Sequence, residues 1–266
     1  MGIKVRLDKY LSDHTELSRR EAKAAVRKGR VSVDGETALH EEVKVLITQK
    51  ICIDGREVKA EQYAYYMMNK PAGVVSATRD ERECTVCELM EGIHRELFPI
   101  GRLDKDTEGL LLLTDDGALA HRLLSPKYHV EKTYYIEYEG LLTADAEARF
   151  AEGVDIGEKK ITRPARLKRK QDGQAFLTIS EGKFHQVKRM IACVGGRVTY
   201  LKRLSMAGLM LDNRLAAGEY RRLLPEEVET LRRAAERGDG QSYGKEELLC
   251  GKEREDTGNL PDMGGV

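Results

Sequence analysis

Apolar positions follow two periods along the chain, and the change from one to the other marks out the elements. Near the start Leu7, Tyr10 and Leu11 fall on one helical face, and Ser18 opens a second helix with Glu21 three residues on, as a capping box requires. That helix runs through Ala22, Ala24, Ala25 and Val26 to Gly29, a natural C-terminal cap. Val31-Ser-Val33 alternates as a strand does, and Asp34-Gly35 makes a turn. Residues 43–53 hold two further short apolar segments that end at a second Asp-Gly. Two helices followed by a small sheet make a first unit of residues 1–60.

A polar link at residues 57–62 precedes a strand pattern at 63–68, a Pro-Gly turn at 69–73 and a short helix predicted at 84–90. A strand at 98–100 leads into a Gly-bounded charged turn, and Leu110 to Leu113 after it form an apolar run of the length of a buried strand. The pattern then predicts a helix at 118–124 stopped by Ser125-Pro126, a strand at 132–138, a helix at 143–150 and a strand at 175–179. Residues 184–192 read as an amphipathic helix with Val187, Ile191 and Val194 on one side, ended by Gly195-Gly196. Strands at 198–204 and 208–211 follow, and Pro225 opens a last helix of about a dozen residues. Many strands with few helices predict an α+β second unit at 61–236, built on a mixed, mainly antiparallel sheet. From Arg237 to the end Gly and charged residues dominate, and a disordered acidic tail is expected.

With 266 residues and 41% apolar content, the chain can bury one sizeable core and a smaller one. No basic-then-apolar leader and no long apolar run appear, so a cytoplasmic protein without a membrane segment, and a monomer, is expected. Five cysteines suit a reducing compartment, and Cys84 and Cys87 alone supply too few ligands for zinc. The formal charge of zero is a cancellation. From Lys160 to Arg203 twelve Lys or Arg face two acids, whereas from Pro225 onward six bases face eleven acids. A basic segment inside a folded region is the footprint of a nucleic-acid partner, with a solvated basic face as the alternative.

The stretches Arg6-Leu-Asp-Lys-Tyr-Leu11, Ser18-Arg-Arg-Glu-Ala22 and Gly29-Arg-Val-Ser-Val-Asp-Gly35 resemble the S4 domain, an RNA-binding module of ribosomal proteins and RNA-modifying enzymes. The resemblance implies a basic helix laid along structured RNA through Arg19, Arg20, Lys23, Arg27 and Lys28, with Glu21 alone opposing them in the helix. A helix-turn-helix on DNA is the competing class. It fits less well, because the second helix lacks the Asn, Gln and Ser mixture that reads base edges.

Chemistry concentrates in the Gly-bounded turn, where Arg102 and Asp104 are attached to a buried strand and could meet a ligand in a fixed geometry. Taken alone, Asp104 reads first as a turn cap paired with Arg102. Three stretches together change the balance: Asn69-Lys-Pro-Ala-Gly-Val-Val-Ser76, Gly101-Arg-Leu-Asp-Lys-Asp-Thr-Glu-Gly-Leu110 and Glu181-Gly-Lys-Phe-His-Gln-Val-Lys-Arg-Met190. They resemble the pseudouridine synthase family of ribosomal small-subunit and large-subunit enzymes, and Thr114-Asp-Asp-Gly117, His121, Ser125-Pro126 and Glu131-Lys-Thr-Tyr134 follow the small-subunit branch.

The resemblance implies isomerisation of one uridine in ribosomal RNA, with U516 of the small-subunit RNA as the first expectation and a large-subunit target as the alternative. By the same resemblance Asp104 is the catalytic carboxylate, whether it attacks the uracil ring, attacks the anomeric carbon or assists a glycal route. An ionised Asp in a dry pocket needs a cation beside it, and Lys188 is the matching candidate, with a phosphate contact as its other use. Tyr134 would stack on the base and stand near the proton to be removed. Arg102, Lys70 and Arg189 are expected to hold RNA, and His185 is read as a structural hydrogen-bonding residue, with an acid or base as the alternative. A non-catalytic RNA binder would need only the first unit. An aspartate hydrolase would need further carboxylates such as Asp106, Asp115 or Asp116 to activate water. Neither a Gly-rich phosphate loop nor a Rossmann fingerprint appears, so a reaction without cofactor or metal is expected.

Overall fold

The computed structural model describes residues 4–236 apart from 16, 59–61, 94 and 172, so the acidic tail predicted from Arg237 lies outside the described residues. The first unit holds β1 (Lys4–Arg6), α1 (Leu7–His14), α2 (Arg19–Arg27), β2 (Val31–Val33), β3 (Glu36–Thr37), β4 (Lys44–Leu46), β5 (Ile51–Ile53) and β6 (Arg56–Glu57). The capping box of α2 is present: Glu21 N–H donates to Ser18 Oγ at 3.3 Å, and Ser18 N–H donates to Glu21 Oε2 at 2.8 Å. Strands β3, β2, β5 and β6 form a small antiparallel sheet, and β1 pairs with β4. Leu7, Tyr10, Leu11, Ala22, Ala25, Val26, Val31, Val45 and Ile51 close one core, which is why the helical face and the alternating strand both show in the sequence.

The second unit contains β7 (Tyr65–Lys70), β8 (Phe98–Pro99), β9 (Glu108–Thr114), α3 (Gly117–Leu124), β10 (Lys132–Gly140), α4 (Ala146–Glu152), β11 (Arg166–Gln171) and β12 (Gln174–Ile179). It continues with α5 (Gln186–Cys193), β13 (Gly196–Met206), β14 (Leu209–Met210), β15 (Tyr220–Arg222) and α6 (Pro225–Ala234). These make a nine-stranded mixed sheet in the order β11, β12, β10, β13, β9, β7, β15, with β14 beside β13 and β8 beside β9. Of its pairings only β9 with β13 is parallel; the rest are antiparallel, as the pattern predicted.

Both faces of β9 are buried. Leu111 and Leu113 join the core that Phe150 of α4 and Met190 and Ile191 of α5 share, whereas Leu110 and Leu112 pack with Leu119 and Leu123 of α3 and Leu231 of α6. A strand covered on both sides reads as an unbroken apolar run. Besides strands too short for alternation to register, the structure departs from the pattern in three places. Residues 84–90 make turns, not a helix. Strand β11 was not predicted, because its charged sequence at the sheet edge carries a single buried side chain, Leu167. Helix α5 begins at Gln186 because His185 sits in the left-handed region at φ 48°.

Candidate active site

Asp104 stands in the turn just before β9, and the segment around residues 69–76 grips that turn from the side. Ser76 Oγ donates to Leu103 O and accepts from Leu103 N–H, each at 3.0 Å. Gly73 N–H donates to Lys105 O at 2.8 Å, and Thr107 N–H donates to Asp104 O at 3.0 Å, closing the turn. Lys70 completes the grip from inside: its Nζ donates to Pro71 O at 2.9 Å, Thr107 O at 3.0 Å and Lys105 O at 3.3 Å. The carboxylate is therefore placed by backbone bonds on both sides of it.

Lys70 is fully buried, which corrects the expectation that it contacts RNA. It is the last residue of β7, so the strand carries it inward where the following Pro-Gly turn suggested a loop. Burial pushes its pKa down to about 8, against the pull of Asp106, Glu108 and Asp104. With the folded value below the unfolded one, this group's contribution to stability is present above the unfolded value of 10.5 and lost as pH falls through about 8. At pH 7 the folded state thus carries the whole cost of a buried ammonium, and in return has three protons for three carbonyls. Lys70→Met should lower kcat about tenfold or more with RNA affinity kept, because the turn loosens by a fraction of an ångström. Steady-state kinetics beside a binding titration check this, and equal losses in both would contradict it.

Asp104 and Lys188 are each 27% exposed, open enough to meet a ligand yet too enclosed for full hydration, and Lys188 Nζ lies 3.3 Å from Asp104 Oδ2. Lys188 is shared: its Nζ also donates to Asp106 Oδ1 and Oδ2 at 2.7 and 2.8 Å. Burial works against its charge, but the hydrogen bonds and charges of Asp106 and Asp104 prevail and hold its pKa above the ordinary value. The hydrogen bond from Lys188 holds Asp106 below the usual carboxylate range. Tyr134, 7% exposed on β10, lines the same cleft with Arg102, Asp104, Thr107, Ile179, Leu201 and Lys188. Arg102 is exposed there and has no ion-pair partner among the described residues. The cleft brings Asp104, Tyr134, Lys188 and Arg102 together from three regions far apart in the chain.

His185 also lines the cleft, 41% exposed, with Nε2 3.6 Å from Asp104 Oδ1. Arg189, expected to touch RNA, is turned inward: Nη1 donates to Glu158 Oε1 at 2.8 Å and to Phe184 O at 3.1 Å, and Nη2 donates to Ile156 O. Its helix neighbour Lys188 takes the cleft, so residue 189 points toward the segment that carries Glu158. The other carboxylates are engaged elsewhere. Asp115 accepts from Ala64 N–H and Arg95 Nε, and Asp116 accepts from Leu119 N–H and Tyr65 Oη. Among the described residues no three His, Cys, Asp or Glu side chains are grouped to hold a metal ion. Sequence reasoning gave no role to Ser76 or Gln186 and weighed Asp106 only as a further carboxylate of a hydrolase, although all three lie inside the motif stretches.

On α2 the cations differ in freedom. Arg19 Nε and Lys23 Nζ lie 3.5 and 3.9 Å from the buried Asp8, and Arg27 pairs with Glu41, so acids outside the helix oppose them as well. Arg20 and Lys28 have no ion pair among the described residues.

The family model for RNA pseudouridylate synthase matches residues 64–193, and that for the S4 domain matches residues 5–51. An uncharacterized RNA pseudouridine synthase, YtzG of Bacillus subtilis, is 48% identical over 85% of this chain and 98% of its own length. Ribosomal small subunit pseudouridine synthase A of Escherichia coli K12 is 43% identical over 84% of this chain and 98% of its own. A crystal structure of a pseudouridylate synthase superposes with a TM-score of 0.61 at 38% identity, covering 85% of this chain and 99% of that one. Motifs, topology and relatives of matching length agree, and the chain belongs to the RNA pseudouridylate synthase family.

Proposed function

We propose that this pseudouridine synthase acts on the small-subunit ribosomal RNA, in the cytoplasm, with U516 as the uridine converted. The observation that carries the reading is a single carboxylate, Asp104, locked on a gripped turn 3.3 Å from Lys188 at a cleft that Tyr134 lines. Support for the substrate comes from the relatives named ribosomal small subunit pseudouridine synthase A.

The reaction breaks the N-glycosidic bond, turns the base and forms a C–C bond, so it needs neither redox chemistry nor added water. Asp104 supplies the carboxylate, and the adjacent ammonium of Lys188 offsets the loss of hydration around it as the base excludes water. Tyr134 packs its ring on the extruded base. Arg102 takes a phosphate of the extruded nucleotide, which must leave its stack to reach Asp104. Mapping pseudouridines in the ribosomal RNA of a strain lacking this protein tests the reading. Position 516 of the small-subunit RNA should be unmodified and restored by the intact gene. A lost modification in the large subunit, or none, overturns it.

In the same reading residues 1–60 hold RNA through α2 while residues 61–236 carry the chemistry. Arg20→Ala with Lys28→Ala should flatten the dependence of log Kd on log salt by up to about one ion per residue and raise KM more than it lowers kcat. Arg27→Ala should do less, because Glu41 already neutralises that guanidinium. Equal effects from all three would contradict the assignment.

A further inference from the structure

Phe184 is 73% exposed, and no other Phe or Tyr among the described residues is as open to solvent. Its segment is braced. Lys183 N–H donates to Gln186 Oε1 at 2.9 Å, while Lys183 Nζ donates to Lys160 O and Ile161 O at 2.7 and 3.0 Å. Gln186 is itself buried, with Nε2 donating to Glu181 Oε1 at 2.9 Å, and Arg189 holds the Phe184 carbonyl. A large apolar ring is thus kept in water on a segment braced by these five hydrogen bonds, where a slack loop could have folded it inward.

One face of the ring is covered by the next side chain. It stacks on His185 with centroids 3.8 Å apart and planes 21° from parallel, and His185 Nε2 is 3.6 Å from Asp104 Oδ1. Phe184 therefore lies one ring layer out from the residue that flanks the carboxylate. With one face covered by imidazole, it cannot slip between two bases, which would need both faces free. It can cap one. Extruding a nucleotide deprives its neighbours in the strand of a stacking partner, and a fixed aromatic face beside the cleft can replace that partner.

We propose that Phe184, backed by His185, is the stacking platform for the base of a nucleotide adjoining the one held at Asp104. The inference rests on the reading of that cleft as the uridine site. Stacking asks only for a π face, so the platform places the strand without choosing its sequence.

The test uses the full chain with small-subunit ribosomal RNA and Phe184 changed to Ala, Leu, Tyr or Trp. Ala and Leu should raise KM about tenfold with kcat within about twofold, and Tyr and Trp should keep both values near wild type. In an Asp104→Asn background, 2-aminopurine beside the target uridine should be quenched on binding when residue 184 is aromatic and should stay bright with Ala or Leu. An unchanged KM with Ala, or Leu performing as well as Tyr, overturns the platform while leaving the active site intact. A wild-type protein that modifies none of this RNA overturns the underlying reading and the platform with it.

Discussion

Asp104→Asn should abolish pseudouridine formation and leave RNA binding as tight as before or tighter. The amide preserves the shape of the carboxylate but can neither act as a nucleophile nor accept a proton at neutral pH. The turn should not move, because the bonds that hold it run from Ser76, Gly73 and Lys70 to the backbone of residues 103, 105 and 107, none of them to the Asp104 side chain. Lys188 keeps Asp106 as a partner, so no cation is stranded. Removing one negative charge beside a polyanion favours binding by a small amount. A loss confined to kcat identifies a group used in the transition state. Product counted per enzyme, alongside a filter-binding titration, checks both halves, and repeated turnover by the variant would remove Asp104 from the chemistry.

Gly109→Ala should have the largest effect on stability. Gly109 has φ of +100°, and a Cβ built on it would stand 2.3 Å from Arg203 O, 2.9 Å from Arg203 N and 2.9 Å from Lys202 Cγ. Two of these contacts are with backbone, so relief requires parting β9 from β13 at their parallel pairing, Gly109 opposite Arg203. Strain in the left-handed region adds to the clash, and the cost should exceed about 4 kcal/mol, a large share of the roughly 5–15 kcal/mol that stabilises a domain. Gly117→Ala is the control: nothing lies within 4 Å of its Cβ at the start of α3, and a gain of about 0.5 kcal/mol is expected. Thermal melts followed by circular dichroism separate the two, and similar melting points would refute the packing argument.

What could be read from the sequence depended on how far apart the partners are. The α2 capping box, β9, β10 and the stop at Ser125-Pro126 are local patterns, and each appears where it was expected. Asp104, Lys188 and Tyr134 were legible because their motifs resemble a family, and the cleft does unite them. Lys70 was misread because two of its three acceptors, Lys105 O and Thr107 O, lie in the turn before β9, more than thirty residues on. The same holds for Arg189, whose acceptors at Ile156 and Glu158 are supplied by another segment. Strands β3, β6 and β15 are two or three residues long, too short for alternation to register.

The pairing of β7 carries a consequence for how the chain is made. This strand lies between β9 and β15: Tyr220, Arg221 and Arg222 pair with Met68, Met67 and Tyr66. Asn69 beside them donates its N–H to Glu219 O and its side-chain amide to Leu215 O. A ribosome delivers residues 65–70 long before residues 215–222, so one edge of an apolar strand must wait unpaired through most of synthesis. Such an edge invites pairing with other nascent chains. The N-terminal unit, whose strands and helices close among residues 4–58, can fold while that edge is still open. A chain ended before residue 215 would keep Asp104 and Lys188 and lose the partner that flanks the strand carrying Lys70, so aggregation is its expected fate.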